Sequence, residues 1–332
     1  MNAPLLLVPL PGFVQIEPVG RCNLRCRMCP VQYRPHAKPS ALLDFDAYCR
    51  LLDQFPGLIE LHLQGLGEPL MHPRFFDMVR VATQRGLRVS TNTNLTLLTM
   101  RRAQEAAQCG LSAISVSIDA ATPELFESIR VGARLQRVLR NLDRLVRACT
   151  LRGAGAPNVR IVMVLMRRNL DELPRMVALA ARFGVDTLFV QRLCHDFAEA
   201  NLPPAYRSVR AFVEAEALTD ADAGWMESTF ERAKQAAKRH GVTLRLPRIM
   251  PKPASNTLRC DWPWRGAYIS YAGEALPCCM IATPDRAKLG NMIRDGVDAT
   301  WNGAAYSAFR AGLASGNPAE VCKRCALYRG TF

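Results

Sequence analysis

Six short apolar runs punctuate the first two hundred residues, at Phe13–Ile16, Leu58–Leu63, Leu87–Thr91, Ala113–Ile118, Arg160–Leu165 and Thr187–Gln191. Stretches of helical length lie between them, among them Phe45–Gln54, Pro73–Gln84, Met100–Cys109, Pro123–Ile129, Leu135–Cys149 and Leu170–Phe183. Strands that alternate with helices in this way build βαβ units on a parallel sheet. Six units fall short of the eight of a closed barrel, so a partial barrel and an open sheet both satisfy the pattern. In either case functional side chains should gather at the carboxyl ends of the strands.

The rhythm breaks after about residue 200. Glu216–His240 reads as one or two surface helices, and Pro247–Pro253 reads as a proline-rich linker. Ala267–Pro277 reads as a hairpin turning at Ala272-Gly273, and a short helix near Ala304–Leu313 leads to a terminal Cys-Lys-Arg-Cys. At 332 residues the chain can hold one large α/β domain and a smaller module.

The first strand runs into Cys22-Asn-Leu-Arg-Cys26-Arg-Met-Cys29-Pro. Three thiols so close together can hold three corners of a cubane iron–sulfur cluster, which ordinarily takes four cysteines. One iron then lacks a protein ligand and is open to a small molecule. A tetrahedral zinc is the plainer alternative, but it needs a fourth Cys or His nearby, for which His36 is the nearest candidate. The chain has twelve cysteines in all. Residues 1–12 are apolar, too short to span a bilayer and without a basic leader, so they read as a lead-in to the first strand. Together these features point to metal or redox chemistry in a reducing, cytoplasmic compartment rather than to a disulfide framework.

The net charge of +14 raises the question of nucleic acid. The basic residues are scattered as pairs such as Arg167-Arg168 and Lys238-Arg239, with no long run and no recognisable nucleic-acid module. A positive surface equally suits an acidic electron-donor protein or a phosphorylated substrate.

The Cys-x3-Cys-x2-Cys spacing after a first strand resembles the radical S-adenosylmethionine (SAM) superfamily. Gln64-Gly65-Leu66-Gly67-Glu68-Pro69, at the end of the second strand, resembles that family's Gly-Gly-Glu-Pro segment, which holds the amino group of SAM. Its two glycines allow close backbone approach, and a carbonyl or carboxylate there can accept from an ammonium. Ser115–Asp119 resembles the fourth-strand segment that reaches the SAM ribose and carboxylate, with Ser117 and Asp119 on one side by strand periodicity. Thr91 to Asn94 resembles a Thr-Asn-Gly segment and brings in Asn92, although Leu95 follows Asn94 where glycine is usual. Met28 stands where an aromatic is common, and its backbone is expected to contact adenine. Gln191 ends the sixth strand and joins the expected cofactor contacts.

Late in the chain, Cys260, Cys278, Cys322 and Cys325 can complete a second, four-thiolate cluster, with structural zinc as the alternative. Cys-Asp-Trp-Pro-Trp, Gly273-x4-Cys278 and the terminal Cys-x2-Cys resemble the SPASM/twitch auxiliary-cluster domain. Five cysteines after residue 200 are too few for the seven of a two-cluster version, which implies one auxiliary [4Fe–4S] cluster. The ligand spacing is similar to that of aminocyclitol dehydrogenases. The resemblance implies a partial (β/α)6 TIM-like barrel with a small C-terminal α+β iron–sulfur domain. The expected divisions are 1–205 for the core, 206–253 for a helical linker and 254–332 for the auxiliary domain.

That resemblance implies reductive cleavage of SAM to a 5′-deoxyadenosyl radical, hydrogen abstraction from a substrate, and a flavodoxin- or ferredoxin-type electron donor. The first expectation is dehydrogenation of a sugar, aminocyclitol or similar polar metabolite. The second is crosslinking or epimerisation of a ribosomally made peptide, and an iron–sulfur electron carrier is the non-enzymatic alternative. Arg192, ending the sixth strand, is a candidate substrate contact, and Cys194 a candidate hydrogen-atom donor. Trp264 and Tyr268 are further candidates for the pocket wall. Cys49, Cys109 and Cys149 fall on helical stretches and read as core filler, and Cys279 reads as a neighbour of a ligand.

Overall fold

The structure is a computed structural model in which residues 8–35, 40–193, 197–251, 259–281 and 283–331 are described. Six parallel strands form its centre: β1 Phe13–Ile16, β2 Glu60–Leu63, β3 Arg88–Thr93, β4 Ala113–Ser117, β5 Asn158–Leu165 and β6 Thr187–Arg192. They pair in sequential order, as expected of a partial barrel wound from right-handed βαβ units. Helices α1 Phe45–Asp53, α2 Phe75–Gln84, α3 Met100–Gln108, α4 Pro123–Ile129, α5 Leu135–Arg152 and α6 Leu173–Arg182 cover the strands. Local chemistry starts these helices where the sequence calls for it. The Asp44 carboxylate accepts from the Ala47 amide at 2.8 Å, and the Thr99 hydroxyl accepts from Arg102.

Two features go beyond the six-unit reading. After α7 Arg207–Glu216 and α8 Ala223–His240, a seventh parallel strand, β7 Thr243–Arg245, pairs with β6. Three residues are too few to show a strand period, so this strand is not visible in the sequence. On the other edge, the expected hairpin forms as β8 Gly266–Ile269 and β9 Glu274–Leu276, with β10 Gly290–Asn291 beside it. Strand β8 pairs in parallel with β1, so the C-terminal module continues the core's sheet to ten strands.

The module also reaches the opposite edge of the barrel mouth. The Arg286 guanidinium pairs with Glu199 at 2.5 Å and lies 4.5 Å from the Phe197 ring centroid, while the Tyr206 hydroxyl bonds Asp285 at 2.9 Å. Both Arg286 and Glu199 are buried, so this contact fixes the module rather than decorating the surface. Cys49, Cys109 and Cys149 pack into the main hydrophobic core, as expected of small apolar side chains. Among the described residues no helix is long and apolar enough to cross a membrane.

Candidate functional site

A cavity of about 200 Å³ opens at the carboxyl ends of the core strands. Cys22, Cys26 and Cys29 form one wall, and Met28 sits among them. Gly65, Gly67 and Glu68 face them from the loop after β2, Asn92 from β3, Ser117 from β4 and Gln191 from β6. The sequence had scattered these residues over 170 positions, and the parallel sheet assembles them at one end.

Backbone bonds explain why the cysteine loop lies where it does. The Arg25 amide donates to the Val131 carbonyl at 2.9 Å and the Arg27 amide to Ile129 at 3.0 Å, which straps the loop to the end of α4. The Asn94 side-chain amide approaches the Cys22 sulfur at 3.6 Å. Burial pushes the Cys22 and Cys29 thiols up to about 12 and raises Cys26 as well, against the nearby Arg130 charge. Iron would have to displace protons to be held there as thiolate-bound metal.

The glycine segment is shaped by close approach. A Cβ on Gly67 would lie 1.9 Å from the Val19 carbonyl oxygen, and one on Gly65 would lie 2.3 Å from the Glu17 side chain. No larger residue fits either position without moving the first strand's exit loop. The three thiols and this cradle fit a cluster with an open iron and a ligand carrying an amine. Among the described residues no three His, Cys, Asp or Glu side chains are grouped around a point suited to a single ion.

Four expected contacts are placed differently. Asp119 is fully buried and outside the cavity wall; its carboxylate pairs with Arg130 at 2.7 Å and accepts from the Val164 amide at 2.8 Å. Strand β4 ends at Ser117, so the alternation that put Ser117 and Asp119 on one side stops before Asp119. Arg192 is one residue beyond Gln191 on the same strand and therefore faces the other way. It is buried, donating to the Leu218 and Ile249 carbonyls at 2.7 and 3.1 Å. Pro69 opens a short 3₁₀ turn behind the cradle instead of lining it. Glu68 does reach the wall, but its carboxylate is engaged by the Thr93 hydroxyl at 2.6 Å and the Asn94 amide at 2.8 Å. It clamps the loop after β3, and in the cradle the Gly65 carbonyl accepts from the Gln64 side-chain amide. Cys194 lies outside the described residues, as does His36.

The structure adds Arg130, which no motif marks. It lines the cavity, is buried, and comes within 3.9 Å of the Cys26 sulfur. Burial alone would lower its proton affinity, yet Asp119 and then Cys26 outweigh that and hold the guanidinium firmly charged. Val162 and Val164 of β5 supply an apolar wall.

A second thiol group lies in the C-terminal module. Cys260, Cys278, Cys322 and Cys325 line one small cavity closed by Pro263, Ile281, Phe309 and Leu327. Four thiols in an apolar shell fit a closed cluster. Cys279 does not line that cavity, but it packs against the thiol cluster as well as toward Tyr268 and Leu276. Trp264 packs beside the thiols, and Tyr268 is buried behind Leu66, so neither lines the cavity of the cysteine triplet.

Comparison with known proteins agrees with both halves. Residues 16–180 match the Radical SAM superfamily and residues 260–326 the SPASM iron–sulfur cluster-binding domain. The chain is 32% identical over 185 residues to a tungsten-containing aldehyde ferredoxin oxidoreductase cofactor-modifying protein of Pyrococcus furiosus, spanning about half (51%) of that protein's length. It is 28% identical over 330 residues to the PqqA peptide cyclase of Ruegeria pomeroyi, covering 98% of this chain and 82% of the cyclase. Among solved structures, Streptococcus suis SuiB bound to its precursor peptide SuiA shares the fold, with a TM-score of 0.69 at 14% identity over 98% of this chain and 72% of SuiB.

Proposed function

From the premise that this chain is a radical SAM enzyme with a C-terminal SPASM domain, we propose that it modifies a peptide by abstracting hydrogen from one of its C–H bonds. The observation that carries the peptide reading is the match to PqqA peptide cyclase, which runs through both domains rather than the core alone.

The residues divide the work. Cys22, Cys26 and Cys29 would hold the SAM-binding cluster, and Cys260, Cys278, Cys322 and Cys325 the auxiliary one. With a cluster and SAM held at the triplet, the site would supply radical chemistry able to abstract a substrate hydrogen. The backbone carbonyls of the Gly65–Gly67 segment would accept from the amine of SAM, and Arg130 would offer its guanidinium to the carboxylate. Ser117 and Asn92 would offer hydroxyl and amide groups to the ribose, and Met28 would flank the adenine. Val162 and Val164 exclude water from the place where the substrate C–H must be held.

Anaerobic, iron-loaded enzyme with SAM and dithionite tests the reading. We expect 5′-deoxyadenosine from the native chain and none from Cys26→Ala. Deuterium on a short peptide encoded beside the gene should appear in the deoxyadenosine, with loss of two hydrogens or inversion of a centre in the peptide. No deoxyadenosine would overturn the radical reading. Deuterium arriving from a sugar or aminocyclitol, and none from peptide, would put dehydrogenation of a small metabolite in its place.

A further inference from the structure

A third cavity, of about 490 Å³, lies between the end of β6, the corner joining α7 to α8, and the last turns of the chain. Leu193 lines both this cavity and the one that holds the cysteine triplet, so the two meet at that residue. The larger cavity is lined by three arginines, Arg192, Arg324 and Arg329, and two carboxylates, Glu214 and Asp220.

The carboxylates are already committed. Glu214 pairs with Arg210 at 2.8 Å, and Asp220 faces Arg329 at 3.8 Å. Arg192 is 6% exposed, and the acceptors recorded for it are two backbone carbonyls and the Met226 sulfur. Burial and then the neighbouring Arg329 charge weaken its hold on its proton, against the opposing pull of Asp220 and Asp222. Among the described residues Arg324 is exposed and forms no ion pair. A guanidinium withdrawn from water with only neutral acceptors gains most from an arriving anion. Its planar fork suits a carboxylate held by two bonds.

We infer that this cavity binds a carboxylate-bearing segment of the peptide substrate, anchoring it beside Leu193 so that a neighbouring residue enters the cysteine cavity. The inference rests on the peptide reading above. The volume lies within the range of ligand pockets and accommodates a few side chains.

Calorimetric titration of the iron-loaded enzyme with pentaglutamate tests it, with pentaglutamine as the neutral comparison. Pentaglutamate should bind and pentaglutamine should not. The double variant R324Q/R329Q should weaken pentaglutamate by about tenfold or more, and R324K/R329K should recover part of the loss. R137Q/R140Q removes the same charge from the exposed side of α5 and should stay within about twofold of native. Because Arg324 lies between two cysteines, Ala217→Asp offers an independent arm. It places a carboxylate in the cavity wall away from the thiols and should suppress binding equally. Equal weakening in R324Q/R329Q and R137Q/R140Q, or native affinity in Ala217→Asp, would overturn the site. No turnover is needed for this titration. Binding through Arg324 and Arg329 without any peptide product would therefore overturn the peptide reading and leave a carboxylate site, whereas full-rate peptide modification by R324Q/R329Q would overturn the site alone.

Discussion

Arg34 donates to the Glu17 carboxylate at 2.8 Å, and both side chains are sealed from solvent. The same Glu17 oxygen accepts from the Leu66 amide at 3.0 Å, and Arg34 also donates to the Gly20 carbonyl at 2.9 Å. The Arg34 guanidinium lies 5.7 Å from the centroid of Tyr271, in the turn that follows β8. One buried pair thus ties together the exit of β1, the glycine cradle, the segment after the cysteine triplet and the C-terminal hairpin.

Removing one partner of such a pair leaves an uncompensated buried charge. Glu17→Ala should cost about 3–5 kcal/mol in chemical denaturation and raise the KM for SAM by freeing Leu66. The double variant E17L/R34M should recover most of the stability but not the KM. Equal KM in native and Glu17→Ala enzyme would show that the pair does not position the cradle.

Gly67→Ala should be among the most damaging single-methyl changes in the chain, because the new carbon would meet the Val19 carbonyl at 1.9 Å. We expect a loss of several kcal/mol or loss of SAM-dependent cleavage. Gly57→Ala, where nothing lies within 4 Å, should be nearly silent. Thermal unfolding of the pair reads the contrast.

Leu95 holds a left-handed backbone with φ +61° and is fully buried. It stands where the resemblance calls for glycine. The conformation costs a leucine about 1 kcal/mol, while the buried side chain contributes about 2–5 kcal/mol. Packing wins, so Leu95→Gly should still destabilise. Leu95→Ala loses the packing and keeps the strain, so it should be worse than glycine by about 1 kcal/mol. Urea titration of both variants checks the order, and alanine equal to or better than glycine would refute the strain.

His62, hydrogen-bonded to Ser90 at 2.8 Å, is held down to about 4, chiefly by burial and then by the Arg160 charge. The unfolded chain titrates its histidine near 6.5. Between those values the unfolded state binds more protons than the native one, so stability falls as pH drops from about 6.5 toward 4. The loss should reach about 1–2 kcal/mol by pH 4.5 after allowance for partial exposure. His62→Gln should flatten that part of the pH–stability curve, and an unchanged slope would assign it elsewhere.

The sequence by itself determined the six central strands, the helices over them, the hairpin and both groups of thiols. Each rests on a local signal: strand and helix periods, turn glycines, or cysteine spacing. It also placed Met28, Gly65, Gly67, Asn92, Ser117 and Gln191 at strand ends, where the structure gathers them. What only the tertiary structure decided are relations between distant segments. Strand β7 is held by its pairing with β6 and not by a pattern of its own. Arg130 acquires its place because α4 straps the cysteine loop. Asp119 and Arg192 had the right residue types for the cavity, but strand end and strand face turned them away from it. Glu17 meets Arg34 and Leu66 only once β1 and β2 pair and the hairpin closes over them. Local periods are written in neighbouring residues, whereas the direction of a side chain at a strand's end depends on what packs against it from elsewhere in the chain.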